Sequence, residues 1–278
     1  MKKIFPTLLL LLLGAITFQS CTSSKKLSTT SAVLRLAPKK GSAYDMDMII
    51  KTKIEGMPGA DMGIDMTTKS DFIVESVDAK GNFVYSSKTI HVTAKMDNPM
   101  MNVDYDSDKP NLDNPGEAAF HENIKGLLNI PFVSKLDKLG NVLEAPKPKN
   151  PDVKITEQQL QTVNQSQNSF INYPEKAVKV GDQWTHTQDI NGQMPMTVTT
   201  NYTVKSITPT SVTLGLDGKI KIQEGGMGTG SGILIGETTV DRITGMIQKQ
   251  NLTQKITMTV MGNDMKTSTN IDLVVTKK

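Results

Sequence analysis

Cysteine is almost absent from the 278-residue chain, the single one standing at position 21, so no disulfide can brace the fold and its core must rest on burial alone. Histidine occurs three times and tryptophan once, and aromatic residues make up 5% of the sequence. Charge of one sign is also missing. With Lys2 and Lys3 set aside, 29 basic residues face 28 acidic ones, which gives no electrostatic footprint for nucleic acid. The apolar fraction, 37%, is low for a helical enzyme, and abundant Thr and Ser compensate only in strands that turn one face to water.

Long hydrophobic runs are absent but for Leu8 to Leu13, preceded by Lys2 and Lys3 and followed by Gly14 to Phe18, Gln19, Ser20 and Cys21. That layout is a secretory signal over residues 1–20. The run is too short for a hydrocarbon layer of about 30 Å, so it does not read as a permanent membrane helix. Cys21 stands where a lipoprotein signal peptidase requires a thiol carrying diacylglycerol, and it is expected to be acylated and to anchor the chain to membrane lipid. Gln19 two residues before it resembles the lipobox of Bacteroidota lipoproteins and departs from the stricter Leu-x-Gly/Ala pattern. Residues 21–31 read as a flexible tether. Lys25 and Lys26, in place of acidic residues, favour the periplasmic face of the outer membrane.

Two halves, residues 32–145 and 172–278, carry the same signals in the same order. Lys39-Lys40-Gly41-Ser42-Ala43-Tyr44 matches Lys179-Val180-Gly181-Asp182-Gln183-Trp184. Thr67-Thr68 and Val74 to Val77 match Thr199-Thr200 and Val204 to Ile207. Asp137 to Val142 matches Asp241 to Ile247. Glycine turns, an aromatic opening the next strand and alternating Val/Ile with Thr/Ser are signs of antiparallel hairpins, among them Phe72–Val77 with Phe83–Val92 across Asp78 to Asn82. Ile233–Asp241, Ile247–Val260 and Lys266–Val275 continue the series. Helices are expected over Pro115–Leu128, capped by Asn114, and over Thr156–Phe170 in a linker of residues 152–171 between the halves. Ala145 to Pro151 reads as an extended, exposed connector. The expected fold is all-β, a curved, barrel-like or clam-like sheet of two similar halves in one domain, residues 32–278, with one or two short helices.

Catalytic and metal patterns fail one after another. His121-Glu122-Asn123-Ile124-Lys125 lacks the second histidine of a zinc-protease helix. His91 and His186 sit in expected strands without Cys or Glu at ligand spacing. Asp104-Tyr105-Asp106-Ser107-Asp108 has alternating carboxylates, but Lys109 replaces the turn glycine and Pro115 the closing glutamate of a calcium loop, so it reads as a polar loop. Gly225 to Gly232 is not followed by the Lys-Ser/Thr of a phosphate loop, and glycine there lets strands bend or approach closely. Ser231 follows every histidine, which excludes the usual hydrolase order. Sixteen methionines cluster at Met57/Met62/Met66, Met96/Met100/Met101, Met194/Met196 and Met258/Met261/Met265. Thioethers could hold Cu(I), but core or an adaptable apolar surface is the plainer reading. No catalytic residue, cofactor or metal is expected.

Tyr173 to Trp184, with the pattern Pro174-x-Lys176-x-Val178-Lys179-x-Gly181-Asp182-x-Trp184, resembles the signature of an uncharacterised Bacteroidota lipoprotein family; Tyr105-Asp106-Ser107 and the Asp241 to Gly245 turn are similar to it too. The resemblance implies fold and an envelope location, not chemistry. The expected role is a non-enzymatic carrier or chaperone for an apolar ligand, with a structural lipoprotein docking an envelope protein as the alternative.

Overall fold

A computed structural model describes residues 30–56, 61–97, 102–157, 159, 160, 163, 170–190, 194–223, 228–260 and 262–278. Alternation becomes strand almost throughout. Two short strands, β1 (Ser31–Ala32) and β8 (Val178–Lys179), pair with each other. Twelve more make one antiparallel sheet: β2 (Ala43–Glu55), β3 (Met62–Val77), β4 (Phe83–Asp97), β5 (Val103–Asp106), β6 (Phe132–Leu136), β7 (Val142–Pro148), β9 (Gln183–Ile190), β10 (Met196–Ile207), β11 (Ser211–Ile222), β12 (Gly228–Asp241), β13 (Ile247–Val260) and β14 (Asn263–Lys277). The order is β7-β6-β4-β3-β2-β14-β13-β12-β11-β10-β9, with β5 beside β4; the sheet curves but does not close.

The halves repeat down to single hydrogen bonds. Gly41 N–H donates to Val74 O at 2.8 Å and Val74 N–H to Ser42 O at 2.9 Å; Gly181 donates to Val204 O, and Val204 to Asp182 O, at 2.9 Å each. Tyr44 lies opposite Phe72 and Trp184 opposite Tyr202. One residue bulges from each second strand, Glu75 between Val74 and Ser76, and Lys205 between Val204 and Ser206. Carried along these registers, β2, β3, β4 and β7 correspond to β9, β10, β11 and β13. β5 and β6 together correspond to β12, since Tyr105 faces Ala94 where Gly230 faces Ile222, and Leu136 faces Phe83 where Val240 faces Val212.

Each half is closed by the other's leading segment. The first half's turn ends at Gly140 (φ +94°) and the second's at Gly245 (φ +66°). A methyl group on Gly140 would overlap the carbonyl of Ile171, and one on Gly245 the carbonyl of Arg35. Tyr173 N–H donates to Leu139 O at 2.7 Å and Ala37 N–H to Thr244 O at 2.8 Å, while the buried Tyr173 hydroxyl donates to Gly245 O at 2.7 Å. Arg242, almost wholly buried, donates to Thr208 O and Ser31 O, so its charge is taken up by carbonyl dipoles. The main core gathers around these segments: Leu34 and Leu36, Phe72, Phe83 and Tyr85, Leu136, then Val204, Val212, Leu214 and Val240 from the second half. Each such fully buried side chain contributes roughly 1.5–3 kcal/mol.

The structure revises several expectations. Thr67-Thr68 correspond to Thr197 and Val198, two residues away from Thr199-Thr200, because the bulges fix Val74 on Val204. Trp184 and Tyr44 do occupy matching places, but Trp184 is only half-buried, stacked on Tyr202 at 5.2 Å with its indole N–H donating to Asn172 O, whereas Tyr44 is buried. The expected strand from Ile233 begins at Gly228. Part of the proline-rich connector is β7, the edge of the sheet, where a missing N–H costs no ladder bond. The helix α1 (Pro115–Ile124) starts as expected, Asn114 Oδ1 accepting from Gly116 and Glu117 N–H, but stops short of Leu128, which bridges to Thr89. In the expected second helix, Leu160 N–H donates to Thr156 O and Gln159 N–H to Thr156 Oγ1; residues 158, 161, 162 and 164–169 lie outside the described residues.

Gly41 (φ +80°) has open space around its α-carbon, whereas Gly245 has both a left-handed backbone and a carbonyl against it. Gly41→Ala is expected to cost about 1 kcal/mol, from backbone conformation alone, and Gly245→Ala roughly 3 kcal/mol, which urea unfolding of the two variants measures.

Candidate functional site

At the end of the strands away from the Gly140 and Gly245 turns, the inner face of the sheet carries two smaller clusters. In the second half, Ile220, Ile222, Ile256 and Met258 pack with Met194, Met196 and Met265. In the first, Ala94, Val103 and Tyr105 pack with Met66 and Met96 and are covered by Phe120 and Ile124 of α1. Met66 and Met196 are equivalent positions, facing Ala94 and Ile222.

The two halves close these ends differently. Gly228, Gly230, Gly232 and Gly236 take alternate inward positions of β12, and a methyl group on any of them would overlap a backbone oxygen of β13. β12 and β13 thus lie close together, and Ile256 and Met258 lean over the bare glycines. In the first half the corresponding strand is broken between β5 and β6, and α1 occupies the interval.

Between the two clusters run β2 and β14, neighbours at the centre of the sheet. Their inward side chains include Met48, Ile50, Ile54 and Ile271, with Met62 of β3 and Met265 of β14 beside them, and all six are half-buried. Thr52 and Thr269 meet across this stretch at 3.1 Å. The result is an apolar, concave surface left partly open to solvent. Its methionines are flexible and polarisable, a surface that adapts to an apolar guest of varied shape. The methionine groups of the sequence converge here: Met62, Met66, Met96, Met196, Met258 and Met265 all face inward. Met57, Met100, Met101, Met227 and Met261 lie outside the described residues, as does Cys21.

On the outer face, Ile233 (44% exposed) and Ile235 (53%) border an open cleft of about 620 Å³ together with Glu237, Asn251, Lys255 and Asp272. The histidines have three different settings. His121 Nδ1 meets the Tyr105 hydroxyl at 2.9 Å, joining α1 to β5. His186 faces inward from β9, beside Thr200, and burial pushes its pKa down. His91 was expected to stand alone on a strand, and the aspartates of residues 104–108 to form a separate loop. The hairpin of β4 and β5 brings them together instead, with His91 Nε2 at 2.9 Å from Asp106 Oδ1 and 3.6 Å from Asp108 Oδ2. The Asp108 backbone N–H, and then the His91 ring, hold the Asp106 carboxyl below the usual carboxylate range.

The signature residues of the second half are structural. Gly181 has φ +91°, Lys179 N–H donates to Asp182 Oδ2 at 2.8 Å, Val178 pairs with Ala32, and the carbonyls of Pro174 and Glu175 accept from the Arg35 guanidinium.

This second half is where similarity to a known family is found. Residues 157–259 match the family described as "Family of unknown function (DUF6263)", which carries no assigned chemistry. No curated protein matches the chain. Among solved structures it is similar to the translocator domain of the autotransporter NalP from Neisseria meningitidis (7% identity, 85% of this chain and 89% of that one, TM-score 0.35). An outer membrane channel from Pseudomonas putida F1 is similar over 86% of this chain and 97% of that one (7% identity, TM-score 0.24). A LolA superfamily protein from Nitrosomonas europaea is similar over 86% and 88% (10% identity, TM-score 0.16).

His186 gives the fold a measurable response to acid. Its pKa is lowered in the folded chain, so the unfolded chain binds the proton more readily and stability falls once the pH drops below the unfolded value of about 6.5. Unfolding free energies measured between about pH 7.5 and 5.5 are expected to fall less for His186→Gln than for the unsubstituted chain.

Proposed function

We propose that the protein is a lipoprotein of the bacterial cell envelope that shelters an apolar ligand, such as the acyl chain of a lipid, on the inner face of its curved sheet. It acts as a carrier or chaperone and not as an enzyme. Acylated Cys21 holds it to the periplasmic face of the outer membrane, and the Ser-, Thr- and Lys-rich tether expected after it ends before Ser31, which β8 and Arg242 hold in the fold. The pattern from Pro174 to Trp184, which resembles that of Bacteroidota envelope lipoproteins, supports this reading.

The reading rests on one observation: the central strands turn Ile50, Ile54 and Ile271 inward, yet leave them half-buried between two packed clusters. Apolar side chains in a concave stretch lose free energy to water, about 25 cal/mol for each Å² left wet, and a guest that covers them recovers it.

A second reading has support of its own. Ile233 and Ile235 on the outer face, beside Glu237 and Lys255, suit docking to an envelope protein that supplies an apolar contact ringed by charge.

The experiment is mass spectrometry of an organic extract from the chain Ser28–Lys278, purified from a bacterial periplasm without detergent. A stoichiometric lipid, absent from a control protein, is expected, and Ile50→Glu and Ile271→Glu should carry much less of it while melting close to the parent. An extract free of lipid overturns the carrier reading and leaves the docking one, for which Ile235→Glu should abolish crosslinks to an envelope protein.

A further inference from the structure

The geometry points to a binding site for one divalent transition-metal ion of the zinc type at the β4–β5 hairpin, held by His91, Asp106 and Asp108. One ligand atom from each of the three lies within 4.8 Å of the others. Zinc takes imidazole nitrogen and carboxylate oxygen at about 2.0–2.2 Å, so neighbouring ligands of a tetrahedral ion stand roughly 3.4 Å apart. The His91–Asp108 separation of 3.6 Å already suits such an ion, and the 2.9 Å contact between His91 and Asp106 needs to open by a few tenths of an ångström. On binding through Nε2, the ion takes the place of the hydrogen these two share, and the neutral His91 imidazole carries its proton on Nδ1 instead. Three protein ligands leave the fourth position to water, as in zinc sites that keep an open coordination position.

Backbone positions the three groups. His91 is placed by the β3–β4 pairing, opposite Lys69, and is half-buried. Ser107, between the two aspartates, is locked to Val92 from both sides: its N–H donates to Val92 O and its hydroxyl accepts from Val92 N–H. Lys95 is paired with Asp104, which leaves that carboxylate out of the cluster, and Lys109 is the cation that bears on Asp106.

The duplicated architecture supplies an internal control. By the registers that make Ala94 equivalent to Ile222, His91 corresponds to Lys219 and Asp106 to Ser231. The second half builds the same hairpin with neither ligand. The fold therefore does not need a histidine beside a carboxylate here, and their convergence in the first half calls for another account. Nitrogen plus two carboxylate oxygens is a ligand set suited to zinc and related ions. This holds whether or not the inner face takes an apolar guest.

The test is calorimetric titration of Zn²⁺ into the full chain, stripped with a chelator and held in detergent micelles. One equivalent should bind, and excess Zn²⁺ should raise the melting temperature. His91→Lys and Asp106→Ser, which install the residues of the second half, should keep the melting temperature of the metal-free chain and weaken Zn²⁺ binding by about tenfold or more. Absence of binding, or an unchanged isotherm in His91→Lys, overturns the site.

Discussion

Everything else in the structure depends on two close backbone contacts, Gly140 against Ile171 and Gly245 against Arg35. Neither turn can tolerate a side chain, and each is covered by a segment of the opposite half. With no disulfide to close the core, this reciprocal cover braces the two halves of a single open sheet, which are otherwise joined by the pairing of β2 with β14. The main core lies where the segments cross, which is why Leu34 and Leu36, residues that precede the first long strand, are among the most buried in the chain. Tyr173 and Arg242 satisfy the polar groups that such a crossing would otherwise strand away from water.

Duplication gives a way to separate what the fold requires from what it merely carries. Where both halves agree, as in the bulges at Glu75 and Lys205 or the turns at Gly41 and Gly181, the shared feature sets the geometry of the hairpin. Where they differ, the fold has been free to vary. The second half continues β12 without interruption and lets glycines admit the next strand. The first half breaks the same strand, puts Tyr105 in place of Gly230 and lays α1 over it. Such divergence makes the two ends of the concave face chemically unlike, although their backbones match.

Much of the architecture was legible in the sequence. Gly41, Gly181 and the Asp137 and Asp241 turns announced the repeat because a left-handed backbone admits few residues besides glycine and because aspartate binds the N–H groups that follow it. Register was less legible: threonine suits either of two positions on a mixed face, and only the bulges decide between Thr197 and Thr199. β12 starts five residues before the expected Ile233 because glycine lacks the side chain that marks a strand. At the candidate site, the methionine clusters stood out in the sequence but their common face did not, since it depends on β2 and β14 meeting at the centre of the sheet. The approach of His91 to Asp106 is not legible in the spacing alone because it requires the β4–β5 register. Its one sequence signal is the pair of strands on either side of residues 98–102, whose antiparallel pairing sets Thr93 against Asp106 and so brings His91 near.

The crossing of the leading segments also governs how the chain can fold. Ser31 accepts a hydrogen bond from Arg242, a partner 211 residues further along. Contacts of such span form slowly, since a long loop must be closed before any of them is rewarded. A nascent chain can assemble the hairpins of its first half as they emerge, with Leu36 N–H already able to donate to Lys138 O, but the contacts of Arg35 and Ala37 with the Gly245 turn wait for the last quarter of the polypeptide. Until then the leading segment lacks its second-half partner, and the fold is completed late, by the Gly245 turn and by β14, which pairs with β2.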